Sequence, residues 1–300
     1  MIRVRVPATS ANMGPGFDTL GIALNLYSRL EIEETDGGLD IITVNNSGNV
    51  QNDKTNLVYR AMDRVFRETG YRPKGLRIKQ DSAIPMTRGL GSSSACIIGG
   101  MLAANALSGR TISYPDILEL ATEMEGHPDN AAPALYGGFC VSVKSGDRVY
   151  VKSIKLKNDL KFAVMIPDFF VATKKSRGAL PDKVSLKDAA FNISRASMLQ
   201  AALTTGDYDL LKIGAEDRLH QPYRKSYIDG FDEIFEHTYR IGSKATYLSG
   251  SGPTIMSILT GNGAAFKKDM EAFFSENEHK WKCMLLECDN VGSVLSETRS

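Results

Sequence analysis

The sequence predicts an α+β protein made of two domains. Strand-like alternation and helix-like periodicity are mixed along the chain, without the regular strand–helix alternation of a doubly wound sheet. The pattern restarts with a strand after residue 157, which divides the chain into residues 1–157 and 158–300. Hydrophobic residues make up 42% and charged residues 24% of the 300 residues, a composition typical of globular proteins that bury a hydrophobic core.

The first domain is predicted to contain mostly strands, with helices inserted between them. Alternating apolar residues predict strands at 2–6, 23–32, 39–44, 76–80, 138–143 and 149–154. A helix over 56–69 would stop at Gly70, and a helix of small and apolar residues is expected over 92–107. Ser113 and Asp116 resemble a capping box that opens a third helix ending near residue 125.

The second domain combines longer helices with four strands. Strands are expected at 162–166, 245–248, 254–259 and 282–287, and helices at 186–204, 210–217, 231–240 and 264–275. No fixed-period repeat or low-complexity segment interrupts them.

Charge and cysteine usage exclude several classes of function. The 36 basic and 35 acidic side chains leave a net charge of +1, so neither nucleic acid nor a membrane surface is an expected partner. No apolar run is long enough to span a bilayer, and the N-terminus reads as a strand and not as a signal peptide. The four cysteines are scattered without metal-site spacing, so a cytoplasmic location is expected.

A glycine- and serine-rich turn that runs into the small-residue helix is the clearest candidate site. Its members are Pro85, Met86, Thr87, Arg88, Gly89, Leu90, Gly91, Ser92, Ser93, Ser94 and Ala95. Glycines let backbone N–H groups approach a ligand, and the helix start offers unpaired N–H groups and a positive dipole end. We therefore expect an anion site, with phosphate as the anion, although the turn lacks the lysine of a P-loop. The alternative is a turn that only begins a buried helix.

A second cluster of polar residues ends the third helix. Glu125 falls on the helical stripe that carries Ile117 and Ala121, where a carboxylate is costly unless it is paired or bound to metal. His127, Asp129 and Asn130 follow in the next turn. The alternative is a frayed helix end and ordinary turn chemistry.

Two further loops carry chemistry-bearing residues. The Gly- and Pro-rich loop after the first strand holds Asn12 and Asp18, which could bind an ammonium group or only satisfy their own backbone. The run 249–254, Ser-Gly-Ser-Gly-Pro-Thr, is either a tight turn between strands or glycine backbone packed against a ligand or the first glycine loop.

These segments, in this order, resemble the GHMP kinase superfamily. The runs 85–95 and 249–254 carry that likeness, and the runs 7–18 and 125–134 are similar to the homoserine kinases within the superfamily. Segments 174–181 and 221–224 fit as well, so the resemblance spans essentially the whole chain. It implies an N-terminal lobe like domain 2 of ribosomal protein S5 and a ferredoxin-like C-terminal lobe.

The resemblance also implies a reaction: transfer of the γ-phosphoryl group of ATP to the side-chain hydroxyl of L-homoserine, in threonine biosynthesis. Relatives are commonly homodimers. A mevalonate-pathway kinase is the alternative within the superfamily, but it would leave Asp18 unexplained. A non-catalytic ligand-binding regulator on the same fold is the other alternative, against which Glu125 and a metal-capable serine argue.

Residue roles follow from the same resemblance. Ser93 and Glu125 would coordinate Mg²⁺, with Ser94 as the other serine open to that role. Asn130 would orient the substrate hydroxyl, and Asp129 is the weaker candidate for a general base. Homoserine would be held by Asn12, Asp18, His127, Arg177 and Arg224. In that set Asp18 suits the ammonium group, and the two guanidinium groups suit the carboxylate.

Overall fold

A computed structural model describes residues 1–44, 50–157, 159–277 and 280–298. Within these residues the strands form a seven-stranded and a four-stranded sheet, with helices packed on both. The predicted α+β class is confirmed. Asn158, at the predicted domain boundary, lies outside the described residues, and the division at 157/158 stays a prediction.

The larger sheet is built mainly from the first half of the chain. Its strands are β1 (Ile2–Ala11), β2 (Leu20–Thr35), β3 (Gly38–Val44), β4 (Gly75–Ser82), β5 (Phe139–Ser145), β6 (Arg148–Ile154) and β11 (Val294–Glu297). The order is β11-β1-β2-β4-β3, and β5 pairs with both β2 and β6. Among the described pairings of this sheet, only that of β3 with β4 is parallel. Strand β11, which the sequence analysis missed, returns the end of the chain to β1, where Glu297 lies opposite Ile2.

Four helices of the described residues lie in the first half of the chain: α1 (Leu57–Thr69), α2 (Ser92–Leu107), α3 (Tyr114–Glu125) and α4 (Ala131–Tyr136). Helices α2, α3 and α4 pack against strands of the sheet, and α1 packs against α2. Helix α1 begins where the Asn56 side chain accepts the N–H groups of Val58 and Tyr59, and it ends at Gly70. The predicted cap of α3 is confirmed, since Ser113 Oγ accepts the N–H of Asp116. Helix α2 is apolar on nearly every side and buried along most of its length, so it forms the centre of the core.

The smaller sheet contains β7 (Leu160–Pro167), β8 (Ala245–Leu248), β9 (Ile255–Thr260) and β10 (Trp281–Leu286), all antiparallel in the order β10-β7-β9-β8. Its helices are α5 (Thr173–Gly178), α6 (Leu186–Thr205), α7 (Leu211–Gly214), α8 (Gln221–Arg224), α9 (Phe231–Arg240) and α10 (Ala264–Glu276). The helix predicted over 210–217 is wrong beyond Gly214. The Asp217 carboxylate instead accepts the N–H groups of Leu219, His220 and Gln221, and so begins the next turn.

Buried side chains of the two sheets meet in one apolar cluster that includes Ile22, Leu30, Phe162 and Tyr247. A second cluster lies under α9 and α10. Among the described residues no helix combines the length and apolar character needed to cross a membrane. The loops that connect β1 to β2, β4 to α2, α3 to α4 and β8 to β9 border one cavity.

Candidate active site

One cavity of about 560 Å³ collects the predicted site residues. Asn12, Asp18, Glu125, His127, Asp129, Asn130, Arg177 and Arg224 all line it, together with the glycine loop from Met86 to Ser94. Pro85 and Ala95, the two ends of the predicted loop, are the predicted site residues that do not line the cavity. Segments more than 200 positions apart in sequence therefore contribute to one site.

The glycine loop forms a backbone cradle in the wall of the cavity. Gly89 and Gly91 have φ values of +75° and +67°, in the left-handed region that favours glycine. Gly91 directly precedes α2, and within the described part of the chain no side chain caps the first turn of that helix. The N–H groups of that turn are therefore open to an anion. The Arg88 guanidinium is directed elsewhere, because it donates to the carbonyls of Pro167 and Asp168.

The glycines also let neighbouring segments pack closely on the loop. A Cβ on Gly89 would lie 2.3 Å from the Ser249 carbonyl oxygen, and one on Gly91 would lie 1.9 Å from Thr9 Oγ1. Ser249 Oγ donates to the Gly89 carbonyl at 2.6 Å. The run 249–254 thus packs against the first glycine loop, which was one of its two predicted roles.

Glu125 and the serines at the start of α2 form an oxygen-rich group beside the cradle. Ser94 Oγ donates to Glu125 Oε2 at 2.6 Å, and Ser94 is 1% exposed. Ser93, which the resemblance assigns to metal, is exposed on the cavity wall. No described residue donates to Glu125 Oε1. Hard oxygen donors of this kind suit Mg²⁺, so the residues present fit that ion.

His127 and Asp129 form a hydrogen-bonded pair on the same wall. His127 Nδ1 bonds Asp129 Oδ1, and Asp129 is 1% exposed. Burial alone would lower the pKa of His127, but the hydrogen bond and charge of Asp129 outweigh it, so the pKa is raised. The hydrogen bond to the His127 imidazole therefore fixes the orientation of the Asp129 carboxylate. Ligand atoms of Asp18, His127 and Asp129 lie within 4.8 Å of one another, a pocket whose two carboxylates favour a cation.

Asn130 borders both the cradle and this pocket. Its Oδ1 accepts a hydrogen bond from Thr9 Oγ1 at 2.7 Å. Among the described residues none accepts from its Nδ2. Asn130 is consequently oriented to donate a hydrogen bond into the cavity.

Asp18 and Arg177 are already paired with each other. Arg177 Nη1 and Nη2 donate to the two carboxylate oxygens of Asp18 at 3.0 and 2.7 Å. The sequence analysis assigned the two residues to opposite ends of a substrate, and this structure shows them in contact with each other. Asn12 supports the arrangement: its Oδ1 accepts the N–H of Asp18 at 3.0 Å, and its Nδ2 donates to the Gly250 carbonyl at 2.9 Å.

Arg224 is a buried cation without a carboxylate partner within the described part of the chain. The residue is 2% exposed. Its Nη1 donates to the Gly250 carbonyl at 3.0 Å and to His220 Nδ1 at 3.2 Å. Burial, followed by repulsion from Arg177, lowers the pKa of Arg224 to about 10. A buried charge of this kind is costly unless an anion neutralises it.

Two polar groups that the sequence analysis missed also line the cavity. They belong to Gln80, which is 6% exposed, and Thr43, and neither Gln80 Nε2 nor Thr43 Oγ1 has a partner among the described residues. A signal existed in the sequence: Gln80 continues the inward-facing series of Leu76 and Ile78 on β4, where an apolar residue is expected.

Comparison with known families matches both halves of the chain. The GHMP kinases N-terminal domain matches residues 56–138, and the GHMP kinases C-terminal domain matches residues 199–276. The chain therefore belongs to the GHMP kinase family, as its motifs predicted.

Full-length relatives narrow this class. A homoserine kinase of Caldicellulosiruptor saccharolyticus is 46% identical, with 100% of this chain and 98% of the relative covered. A homoserine kinase of Clostridium beijerinckii is 44% identical over 99% of each chain. The crystal structure of homoserine kinase from Cytophaga hutchinsonii superposes with a TM-score of 0.87 at 30% identity, covering 98% of this chain and 97% of the other. Within the GHMP family the chain groups with the homoserine kinases.

Proposed function

We propose that this protein transfers the γ-phosphoryl group of ATP to the side-chain hydroxyl of L-homoserine, giving O-phospho-L-homoserine and ADP. One observation carries the proposal: the anion cradle, Glu125 and the buried Arg224, which has no carboxylate partner among the described residues, all line one cavity of about 560 Å³. The homoserine kinases at 44–46% identity support the same reaction.

ATP would occupy the end of the cavity bounded by the glycine loop. Its phosphates would meet the N–H groups at the start of α2, where the helix dipole favours negative charge. The base would reach Gln80 Nε2 and Thr43 Oγ1, which lack partners among the described residues. Both polar groups would then be satisfied by the nucleotide.

Mg²⁺ would be held by Glu125 and Ser93. Ser94 occupies Oε2 of Glu125, which leaves Oε1 and the exposed Ser93 hydroxyl as the available oxygens. The metal, when bound, would neutralise negative charge that develops on the transferred phosphoryl group. Ser94 then orients the carboxylate of Glu125.

Homoserine would occupy the other end as a zwitterion. Its ammonium group suits the carboxylate of Asp18, which Asn12 and His127 flank, and its carboxylate suits Arg177 and Arg224. The contact between Asp18 and Arg177 would have to exchange for contacts with the substrate. Binding would replace one internal ion pair with two, and it would neutralise Arg224.

The transfer step would depend on positioning more than on a strong base. Asn130 can donate from Nδ2 toward the substrate hydroxyl or the phosphoryl oxygens, since its Oδ1 is held by Thr9. Asp129 is engaged by His127, so its first role would be to hold that imidazole. A loose transition state requires little proton removal before the phosphoryl group moves.

A coupled assay of ADP release with a panel of acceptors tests the proposal. We expect ADP release with ATP, Mg²⁺ and L-homoserine, and none above the solvent control with mevalonate. Release with mevalonate alone would assign the chain to the mevalonate branch. Nucleotide binding without turnover of either acceptor would indicate a regulator. The cytoplasmic location and the homodimer stay predictions, and light scattering would test the homodimer.

A further inference from the structure

His220 lies at the junction between the two segments that form the amino-acid end of the cavity. It immediately precedes α8, which carries Arg224, and its side chain is 0% exposed. Nε2 of His220 lies 2.7 Å from the Gly14 carbonyl oxygen, and Nδ1 lies 3.2 Å from Arg224 Nη1. The ring thus connects the loop of Asn12 and Asp18 to the buried guanidinium.

These two contacts determine the protonation of the ring. A carbonyl oxygen only accepts, so Nε2 must carry the hydrogen that faces Gly14. A guanidinium only donates, so Nδ1 must be bare. Burial lowers the pKa of His220 and the charge of Arg224 acts in the same direction, whereas Asp217, 3.6 Å from Nε2, opposes them. The Asp217 carboxylate is itself engaged by Asn192 and by three backbone N–H groups.

The neutral His220 ring determines which nitrogen of the Arg224 guanidinium can donate to a ligand. Nη1 of Arg224 has two hydrogens, and His220 Nδ1 and the Gly250 carbonyl accept them. Nε lies 3.5 Å from the Ser176 carbonyl, and Nη2 donates to no described residue. The ring of Phe17 packs beside both groups, 5.5 Å from the His220 ring and 5.4 Å from Arg224 Cζ. Rotation of the guanidinium would break the Nη1 contacts, so Nη2 stays available.

We propose that His220 is a positioning residue: its bare Nδ1 orients Arg224 so that Nη2 meets the substrate carboxylate, while its Nε2–H holds the Asp18 loop at the same site. This inference rests on the proposed function, because the carboxylate that Arg224 would bind is that of the amino-acid substrate. It assigns to His220 no contact with the substrate itself.

Three substitutions separate the two contacts. His220→Asn keeps an acceptor near the position of Nδ1 and loses the contact with Gly14. His220→Gln keeps a donor near the position of Nε2 and loses the contact with Arg224. His220→Phe preserves the ring volume and loses both contacts. His237→Asn, at a histidine on α9 that stacks on Phe273 outside the cavity, is the matched control.

We expect the KM for homoserine to rise about tenfold or more in His220→Gln and His220→Phe, the size expected for a hydrogen bond to a charged group. The rise should be clearly smaller in His220→Asn, and the KM for ATP should stay at the wild-type value in all variants. Equal homoserine KM values in His220→Asn and His220→Gln would overturn the proposal. The proposal would also be overturned if the KM values for both substrates rose in proportion to the loss of thermal stability.

The ring state can be measured without activity. In ¹⁵N NMR spectra of the wild-type chain, with His220→Gln used to assign the signal, we expect a neutral Nε2–H ring between pH 6 and 8. A doubly protonated ring or the Nδ1–H tautomer would contradict the inference. If the wild-type protein phosphorylates no homoserine, the proposed function fails, while the NMR result still decides the state of His220.

Discussion

The two ends of the cavity are built in different ways. The proposed phosphate cradle comes from one continuous segment, and it offers backbone N–H groups that the left-handed Gly89 and Gly91 position. The amino-acid end comes from side chains of four separate segments, among them Asp18, His127, Arg177 and Arg224. The cradle has open donors, whereas most charges at the amino-acid end already bond each other.

The cradle is therefore preformed, whereas the amino-acid site has to exchange internal contacts for contacts with the substrate. Phosphate would bind the proposed cradle without displacing a side-chain cap, since none of the described residues caps the first turn of α2. In the proposed complex, homoserine would replace the bidentate contact of Asp18 with Arg177. Substitutions at the metal and phosphate end should therefore lower kcat, and substitutions at the amino-acid end should raise the KM for homoserine.

Glu125→Gln should have the largest effect. Loss of the carboxylate removes the main protein charge available to Mg²⁺ at the proposed metal site. We therefore expect kcat to fall about 100-fold or more, which corresponds to the loss of several kcal/mol of transition-state stabilisation. Steady-state ADP release at saturating homoserine measures it. Glu123→Gln, at an exposed position of the same helix, is the control. A kcat within twofold of wild type would remove Glu125 from the metal site.

Asp18→Asn should have an intermediate effect, confined to homoserine. The ammonium group loses its carboxylate, but Arg177 is freed for the substrate carboxylate, which offsets part of the loss. We expect the KM for homoserine to rise about tenfold, the order of one charged hydrogen bond, with the KM for ATP unchanged. An equal rise in both KM values would contradict the division between the two ends.

His127→Gln should have the smallest effect, and it should depend on pH. The folded state raises the pKa of His127 above its ordinary 6.5. Its charged pairing with Asp129 therefore stabilises the protein below about pH 6.5 and is lost as the pH rises through the folded-state value. Urea unfolding should show a larger destabilisation by His127→Gln at pH 6 than at pH 9. The reverse order would contradict a raised pKa.

The phosphate end was more predictable from sequence than the amino-acid end. A glycine loop and the helix after it are contiguous, so helix α2 appears with the predicted bounds, Ser92–Leu107. The contact of Asp18 with Arg177 joins residues 159 positions apart, and no local pattern indicates it. The roles of His220 and Gln80 depend on which atoms face them after folding. Strand β11 was missed because its four residues lie at a sheet edge, where three of them are exposed, and they show little apolar alternation.

The most direct measurement is ³¹P NMR of the products formed from ATP and three acceptors. L-homoserine carries both charges, 4-hydroxybutyrate lacks the ammonium group, and 3-aminopropan-1-ol lacks the carboxylate. We predict a phosphomonoester signal and an equal amount of ADP with L-homoserine, and at most a trace with either truncated acceptor at the same concentration. Equal phosphorylation of all three acceptors, or none of homoserine, would contradict a site in which Asp18 and Arg224 select a zwitterion beside the phosphate cradle.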